Sequence, residues 1–219
     1  MEKQRYRHAL SYPWLNRLYD PVVSVTTRER VFREKLLEGA DLKPGDRVLD
    51  LACGTGSFAA LLKKRYPTVK VVGLDGDSSI LELAQTKIKA NRLDVQFDAG
   101  MSFAMPYGDD EFDVVFSSLF FHHLVTNEKN LTLAEIRRVL KPAGVLHVCD
   151  WGRPSYWFSR LRFLGVRVLD GFDVTDDNLN GRLPTLIEGA GFKAVQVSNN
   201  IETLLGTLQL IRAKNTQKT

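Results

Sequence analysis

The stretch Val48-Leu-Asp-Leu-Ala-Cys-Gly-Thr-Gly-Ser-Phe58 decides how the rest of the chain is read. An apolar run carrying the carboxylate Asp50 turns through Gly54 and Gly56 into a helical pattern. Glycine at such a turn permits positive φ and lets backbone approach a ligand with no Cβ in the way. The helix that follows directs free N–H groups at whatever occupies the turn. Ala52 and Cys53 are small, as a tight loop requires. A second acid, Asp75, ends the next apolar run, Val69 to Leu74, 19 positions beyond Gly56. Strand, glycine turn, helix, strand and terminal acid together are the layout of a ribose-binding nucleotide site.

Gly54-Thr-Gly-Ser-Phe-Ala59 formally fits G-x-G-x-x-A, so a nicotinamide dinucleotide is the first ligand to weigh. Asp50 argues against it. A carboxylate there would lie close to a docked pyrophosphate, and two anions repel. The same carboxylate suits a ligand that presents cationic groups over the turn. S-adenosylmethionine, with an ammonium, a sulfonium and a ribose, is such a ligand.

Five further segments extend this pattern: Val72-Gly-Leu-Asp75, Phe97-Asp-Ala99 with Met105-Pro-Tyr107, Phe112-Asp-Val-Val-Phe-Ser-Ser118, His122-His-Leu124 and Glu135-Ile-Arg-Arg-Val-Leu-Lys-Pro-Ala-Gly-Val145. In this order the chain resembles the class I S-adenosylmethionine-dependent methyltransferases, in the branch of ubiquinone/menaquinone-biosynthesis and other small-molecule enzymes. The resemblance covers about residues 45–150 and is looser outside them. It implies a Rossmann-like α/β fold, a seven-stranded mostly parallel sheet with helices on both faces and an antiparallel last strand. It also implies transfer of a methyl group to a small-molecule acceptor at O, N or C.

The coarse pattern agrees with that fold. Strands are expected near 47–51, 70–75, 94–98, 112–117 and 144–150, and helices near 57–65, 77–91 and 127–140. Ser57 and Asp77 stand where N-caps belong. A helix near 179–190 and strands at Lys193 to Ser198 and Gly206 to Ala213 complete the alternation. One methyltransferase domain follows: an N-terminal helical lid (1–42), a donor-binding core (43–150), a helical substrate-side insert (151–192) and the final strands (193–213).

Asp75 can take both ribose hydroxyls, since an ionised carboxylate only accepts. Gly76 departs from the resembled pattern, in which a bulkier apolar residue packs on the adenine; Met101 is a substitute. By the same resemblance, Asp98 and Ala99 are the adenine-reading pair. Asp50 orients the turn and the donor's amino-acid end. Ser117 or Ser118, ending the fourth strand, reaches the methionine portion, with Ser117 as the candidate. The Tyr19-Asp20 pair resembles a lid on the donor. Phe120, Trp151, Tyr156 and Trp157 are candidate acceptor walls, with Phe121, Phe158 and Phe163 nearby.

His122 and His123 supply the only plausible imidazole base. Methyl transfer from a sulfonium is an in-line displacement that needs alignment and exclusion of water. A base is required only when the acceptor arrives protonated. In the resembled family a histidine here is often structural, so both readings stand, and His123 is also an acceptor-side candidate. No histidine and acid set has metal-ligand spacing.

The 219 residues carry a net charge of +4 and only two cysteines, which argues against a disulfide framework. Basic residues interleave with acids, as on a solvated helical face, and no basic recognition module is present, so no nucleic-acid partner is expected. The amino-directed Asn/Asp-Pro-Pro-aromatic motif of base methylation is absent after the fourth strand. No apolar run is long enough for a membrane span, and the first residues lack a signal-peptide core. The expectation is a cytoplasmic monomer or homodimer. Within the enzyme class the alternative is a nucleic-acid methyltransferase; from outside it, a donor-binding sensor or scaffold without turnover.

Overall fold

A computed structural model describes residues 27–153 and 172–216. The central strands come first because their residues are apolar on both faces. β1 (Arg47–Leu51) and β2 (Lys70–Asp75) bury nearly every side chain, as parallel strands covered on both sides must. β3 (Gln96–Ala99) lies at one edge, and β4 (Phe112–Ser118) and β5 (Leu140–Trp151) continue the sheet on the other side of β1. The seven strands run in the order β3-β2-β1-β4-β5-β7-β6, with β6 at Lys193–Glu202 and β7 at Thr207–Lys214. β7 is antiparallel to both β5 and β6, whereas the pairs from β3 through to β5 are parallel. The expected mixed sheet is therefore present.

Side-chain alternation divides the core into two layers. Val48, Val71, Val114, Phe116 and Cys149 face α1 (Glu29–Glu38) and α2 (Ser57–Arg65) through Phe32, Leu36, Phe58 and Leu62. Leu49, Leu51, Val72, Val115 and Val148 face α4 (Thr126–Val139) through Leu133, Ile136 and Val139. α3 (Ser78–Ala90) runs beside α2 and is capped by Asp77, whose side chain accepts from Ser79 N–H at 2.9 Å.

Three local expectations change. α2 is capped by Gly56 without a side-chain bond, and Ser57 is its first helical residue. The Ser57 hydroxyl instead meets Lys87 Nζ at 2.5 Å. The single helix expected at 179–190 is two, α5 (Phe172–Leu179) and α6 (Leu183–Gly189). Gly181, at φ +68°, breaks the chain between them, and a proline in the first turn of α6 restarts it. β5 and β6 also run several residues longer than the sequence pattern indicates: β5 starts early where Leu140 pairs with Phe112 of β4, and β6 continues along β7. Tyr19, Asp20, Tyr156, Trp157, Phe158 and Phe163 lie outside the described residues. No helix among the described residues is long and apolar enough to cross a membrane.

Candidate active site

The strand order reverses between β1 and β4, and the carboxyl ends of those strands open the crevice where α/β sheets bind ligands. The backbone there is bent sharply. Ala52, Gly54 and Gly56 have φ of 58°, 52° and 70°, and Leu119, just past β4, has 53°. For Ala52 and Leu119 the left-handed conformation costs about 1–2 kcal/mol each. Such strain, held by surrounding structure, is typical of ligand-binding turns.

The two glycines are needed for different reasons. A Cβ on Gly56 would lie 2.8 Å from the Phe97 ring and 3.0 Å from Ala84, so this glycine lets α2 pack against β3 and α3. A Cβ on Gly54 would meet no protein atom within 4 Å. Gly54 therefore leaves space above the turn.

Asp75 ends β2 at the rim of that space. Its Oδ2 accepts from Gly54 N–H at 2.9 Å and its Oδ1 from Asp77 N–H at 3.0 Å. Each oxygen keeps a further lone pair for a hydroxyl. Burial raises its pKa, while the Asp77 and Gly54 N–H bonds oppose the rise. Beside it Gly76 is exposed and Met101 is half-buried.

Asp50 is only 1% exposed, and its Oδ2 has no hydrogen-bond partner. Burial pushes its pKa up to about 7; the Arg33 guanidinium opposes this and the Asp75 charge reinforces it. Arg33, on α1, pairs with Glu29, yet its Nε is buried without a partner. An anion and a cation thus face the same crevice, each with an unsatisfied polar atom. Unpaired buried polar atoms are costly and call for an explanation. Sequence reasoning missed Arg33 because it is one basic residue among several on a helix whose charges look solvated. Its signal is position: Phe32, Leu36 and Leu37 beside it are all buried.

Thr55 was also missed. Its Oγ1 accepts from Lys87 Nζ at 2.8 Å, which ties the glycine turn to α3.

Asp98 and Ala99, the adenine candidates, end β3 at the edge of the sheet. Asp98 pairs in register with Leu74, and Ala99 with Asp75, so Asp98 lies on the sheet face away from Asp75. Its carboxylate accepts from Gln96 Nε2 at 2.8 and 3.0 Å and from Tyr107 OH at 3.1 Å. These bonds brace β3 and leave the carboxylate acceptor capacity for a further donor. Ala99 is exposed at the strand end. Ser117 and Ser118 take opposite faces of β4. Ser117 aligns with Leu51 on the α4 face, is fully buried, and its hydroxyl has no partner. Ser118 stands on the Asp50 face and is half-buried.

His122 and His123 lie in a single 3-10 turn, Phe121–His123, directly after β4. Their rings are 4.0 Å apart. His122 Nδ1 is 2.7 Å from Asp150 Oδ1, and both residues are buried. His123 has its pKa lowered to about 3, by burial first and by His122 second, so it is neutral at physiological pH. Phe120 is half-buried and donates its N–H to Asp150 Oδ2 at 3.0 Å. Trp151 is 4% exposed, a member of the core with Leu179 and Leu208, and its ring meets His122 edge-on at 6.3 Å. It backs the histidine and is not an open acceptor wall. Burial pushes the Cys53 and Cys149 thiols well up, which makes both poor nucleophiles. Among the described residues no group of three or more His, Cys, Asp or Glu stands together as a metal site.

The sequence profile described as a methyltransferase domain matches residues 48–144. An uncharacterized methyltransferase of Synechocystis sp. is 30% identical over 207 residues, spanning 93% of this chain and 92% of that protein. This chain belongs to the class I S-adenosylmethionine-dependent methyltransferases. A demethylmenaquinone methyltransferase of Thermus thermophilus is 37% identical over 151 residues, 64% of this methyltransferase and 68% of that one. One from Deinococcus radiodurans is 39% identical over 109 residues, 50% of this chain and 44% of its own length. The chain thus spans between under half and about two-thirds of these two quinone-named relatives.

Two solved structures share the fold. The YcgJ protein of Bacillus subtilis superposes with a TM-score of 0.71 at 15% identity, over 86% of this chain and all of that one. A SAM-dependent methyltransferase from Aquifex aeolicus gives 0.67 at 21% identity, over 94% of this chain and 100% of that one. At these identities the likeness speaks for the fold alone. The donor of the family is S-adenosylmethionine, and this methyltransferase's residues fit it. Gly54 leaves room over the turn, and the buried Asp50 Oδ2 has no hydrogen-bond partner.

Proposed function

We propose that this methyltransferase holds its donor with the ribose on Asp75 and the amino-acid end between Asp50 and Arg33. Asp50 takes the ammonium and Arg33 the carboxylate, which supplies each unsatisfied atom with its opposite charge. Adenine then lies by Gly76 and Met101, and Ser118 reaches the methionine portion. When bound, the donor supplies an electrophilic methyl carbon on a positively charged sulfur. The chain's own residues fix that group, exclude water and present the acceptor, which is where most of the rate of a displacement originates. The acceptor is a small, partly apolar metabolite that docks beside Phe120 and the histidine pair. The names of the quinone-modifying relatives make ring-bearing quinone precursors the first acceptors to try.

One observation carries this reading: the buried Asp50 carboxylate, whose Oδ2 has no partner, next to a glycine turn that leaves open space. Residues 1–42, with Tyr19, serve as the lid, and 151–192, with Tyr156 and Trp157, as the acceptor side. The working state is a cytoplasmic monomer or homodimer that needs no nucleic acid. Calorimetry tests the donor site. S-adenosylhomocysteine should bind in the micromolar range, about −8 kcal/mol, and NAD far more weakly. Tighter binding of NAD would overturn the assignment. Multiple turnovers in an assay for released S-adenosylhomocysteine separate an enzyme from a donor-binding sensor.

A further inference from the structure

Arg138, one residue from the end of α4, engages every N–H donor of its guanidinium. Nε and Nη2 fork onto the Glu135 carboxylate at 2.7 and 2.8 Å. The other N–H groups reach Tyr107 O at 2.7 Å, Met105 O at 3.3 Å and Asp109 Oδ1 at 2.9 Å. Glu135 in turn accepts from Met105 N–H through Oε2 at 2.8 Å. The pair thus grips the main chain at Met105 and at Tyr107, in the segment that follows β3. An isolated surface ion pair contributes little to stability. What this pair supplies is geometry, since a planar fork fixes direction in a way a single ammonium cannot. The Arg138 bonds come first among the causes that hold the Glu135 pKa below its ordinary value.

The segment so held backs the end of β3. Pro106 lies against Gly100, where a Cβ would stand 3.0 Å from the proline Cδ. Gly100 N–H donates to Asp75 O at 3.0 Å, which ties this stretch to the residue proposed for the ribose. Tyr107 packs edge-on against Phe112, with ring centroids 4.9 Å apart, and its hydroxyl donates to Asp98 Oδ2 at 3.1 Å. Burial first, and then the Asp98 charge, raise the Tyr107 pKa, so the phenol keeps its proton and acts as a donor. Gln96 Nε2 holds the same carboxylate from within the strand. Asp98 is therefore fixed in direction. A carboxylate has about four acceptor sites, and these bonds leave part of that capacity over.

Resting on the donor site proposed above, we infer that Tyr107, Glu135 and Arg138 are positioning residues for base selection, which aim the Asp98 carboxylate at the exocyclic amine of the donor's adenine. They act through Asp98 and not through contact with the donor. Arg138 and Glu135 place the main chain at Met105 and Tyr107; that placement sets the Tyr107 hydroxyl, and the hydroxyl sets Asp98. An anionic acceptor favours a base that presents N–H and rejects one that presents a carbonyl oxygen, because two acceptors then meet with no proton between them. Adenine is the first kind of base and hypoxanthine the second. How strictly the site tells them apart therefore depends on two side chains of α4.

The test is calorimetry with S-adenosylhomocysteine and with S-inosylhomocysteine, which carries an oxygen in place of the amine. Wild type should prefer the adenosyl ligand by about ten- to a hundredfold. Tyr107→Phe and Arg138→Lys should each cut that preference by about threefold or more. The ratio of the two dissociation constants is the decisive readout, because a variant that is merely less stable weakens both ligands by the same factor. Combined with Asp98→Asn, neither substitution should move the ratio further, since both act through that carboxylate. A wild type that binds the two ligands alike, or variants that keep the wild-type ratio, would overturn the inference. Tyr107→Phe removes only a hydroxyl and carries the test alone should Arg138→Lys not fold. If wild type does not bind S-adenosylhomocysteine, the donor site falls and this inference with it; binding with an unchanged ratio overturns this inference alone.

Discussion

Asp50→Asn should make the ligand-free protein more stable while ruining its donor site. The substitution keeps the shape of the side chain and removes its charge. In the fold, burial carries Asp50 from an ordinary 3.8 to about 7. At roughly 1.4 kcal/mol for each pH unit, ionised Asp50 costs the empty protein on the order of 4 kcal/mol above pH 7. The sign runs opposite to that of most acids. The folded state binds a proton that the unfolded state has lost, so wild-type stability rises as pH falls from about 7 toward 4. The asparagine variant lacks this dependence. Its advantage over wild type should be greatest at pH 8, up to about 4 kcal/mol, and should fade by pH 4.

Urea unfolding of both proteins without ligand, across that range, measures the difference directly. The donor end gives the complement. Wild-type affinity for S-adenosylhomocysteine should drop about tenfold from pH 8 to pH 6, because the ionised fraction of a group titrating near 7 falls by that factor. Asp50→Asn should bind it at least tenfold more weakly at pH 8, with no such dependence. If the variant is no more stable than wild type at pH 8, or its advantage does not vary with pH, the reasoning about this buried acid is wrong.

Asp75→Ala should weaken S-adenosylhomocysteine binding about ten- to a hundredfold, the worth of a charge-assisted contact. It should also destabilise the empty protein by roughly 1–3 kcal/mol, because Gly54 and Asp77 N–H lose their acceptor; an unchanged Kd by calorimetry would confine Asp75 to holding the turn. Gly56→Ala and Gly54→Ala should separate packing from binding. The first adds a clash with Phe97 to a left-handed residue and should cost about 2–5 kcal/mol in urea melts. The second meets no protein atom, so only about 1–2 kcal/mol is expected, with the larger loss in donor affinity; equal stability losses would contradict this division.

The parts of the fold legible in the sequence are those in which local pattern and tertiary contact agree. β1 and β2 match their expected bounds to the residue because they are short apolar runs closed by acids and glycines. For Asp98 the sequence alone does not tell which sheet face it takes. It stands one residue before the position facing Asp75, and a shift of one reverses the face. Ser117 and Ser118 could not be separated until the register with Asp50 was known. Arg33 gives no local sign of its role, since only the fold brings α1 against the crevice. The hydrogen bonding of Asp150 is equally invisible: its partners are residues 120, 122, 151 and 178, gathered from three segments.

The order of the strands also bears on how the chain is assembled as a ribosome delivers it. β6 emerges before β7, yet among the described residues the only strand beside it is β7, which lies between β6 and β5. Until Thr207–Lys214 arrives, β6 has no ladder to join and β5 presents a bare row of peptide groups. The arriving strand slots into an interior place, satisfying both neighbours at once. Asn215 then clasps it, its buried amide donating to Arg137 O at 3.0 Å and Leu140 O at 2.8 Å where α4 runs into β5. Synthesis of this half of the sheet thus ends in one concerted closure, and a nascent chain stalled before residue 207 would expose β5 as an adhesive edge for chaperones or for other copies of itself.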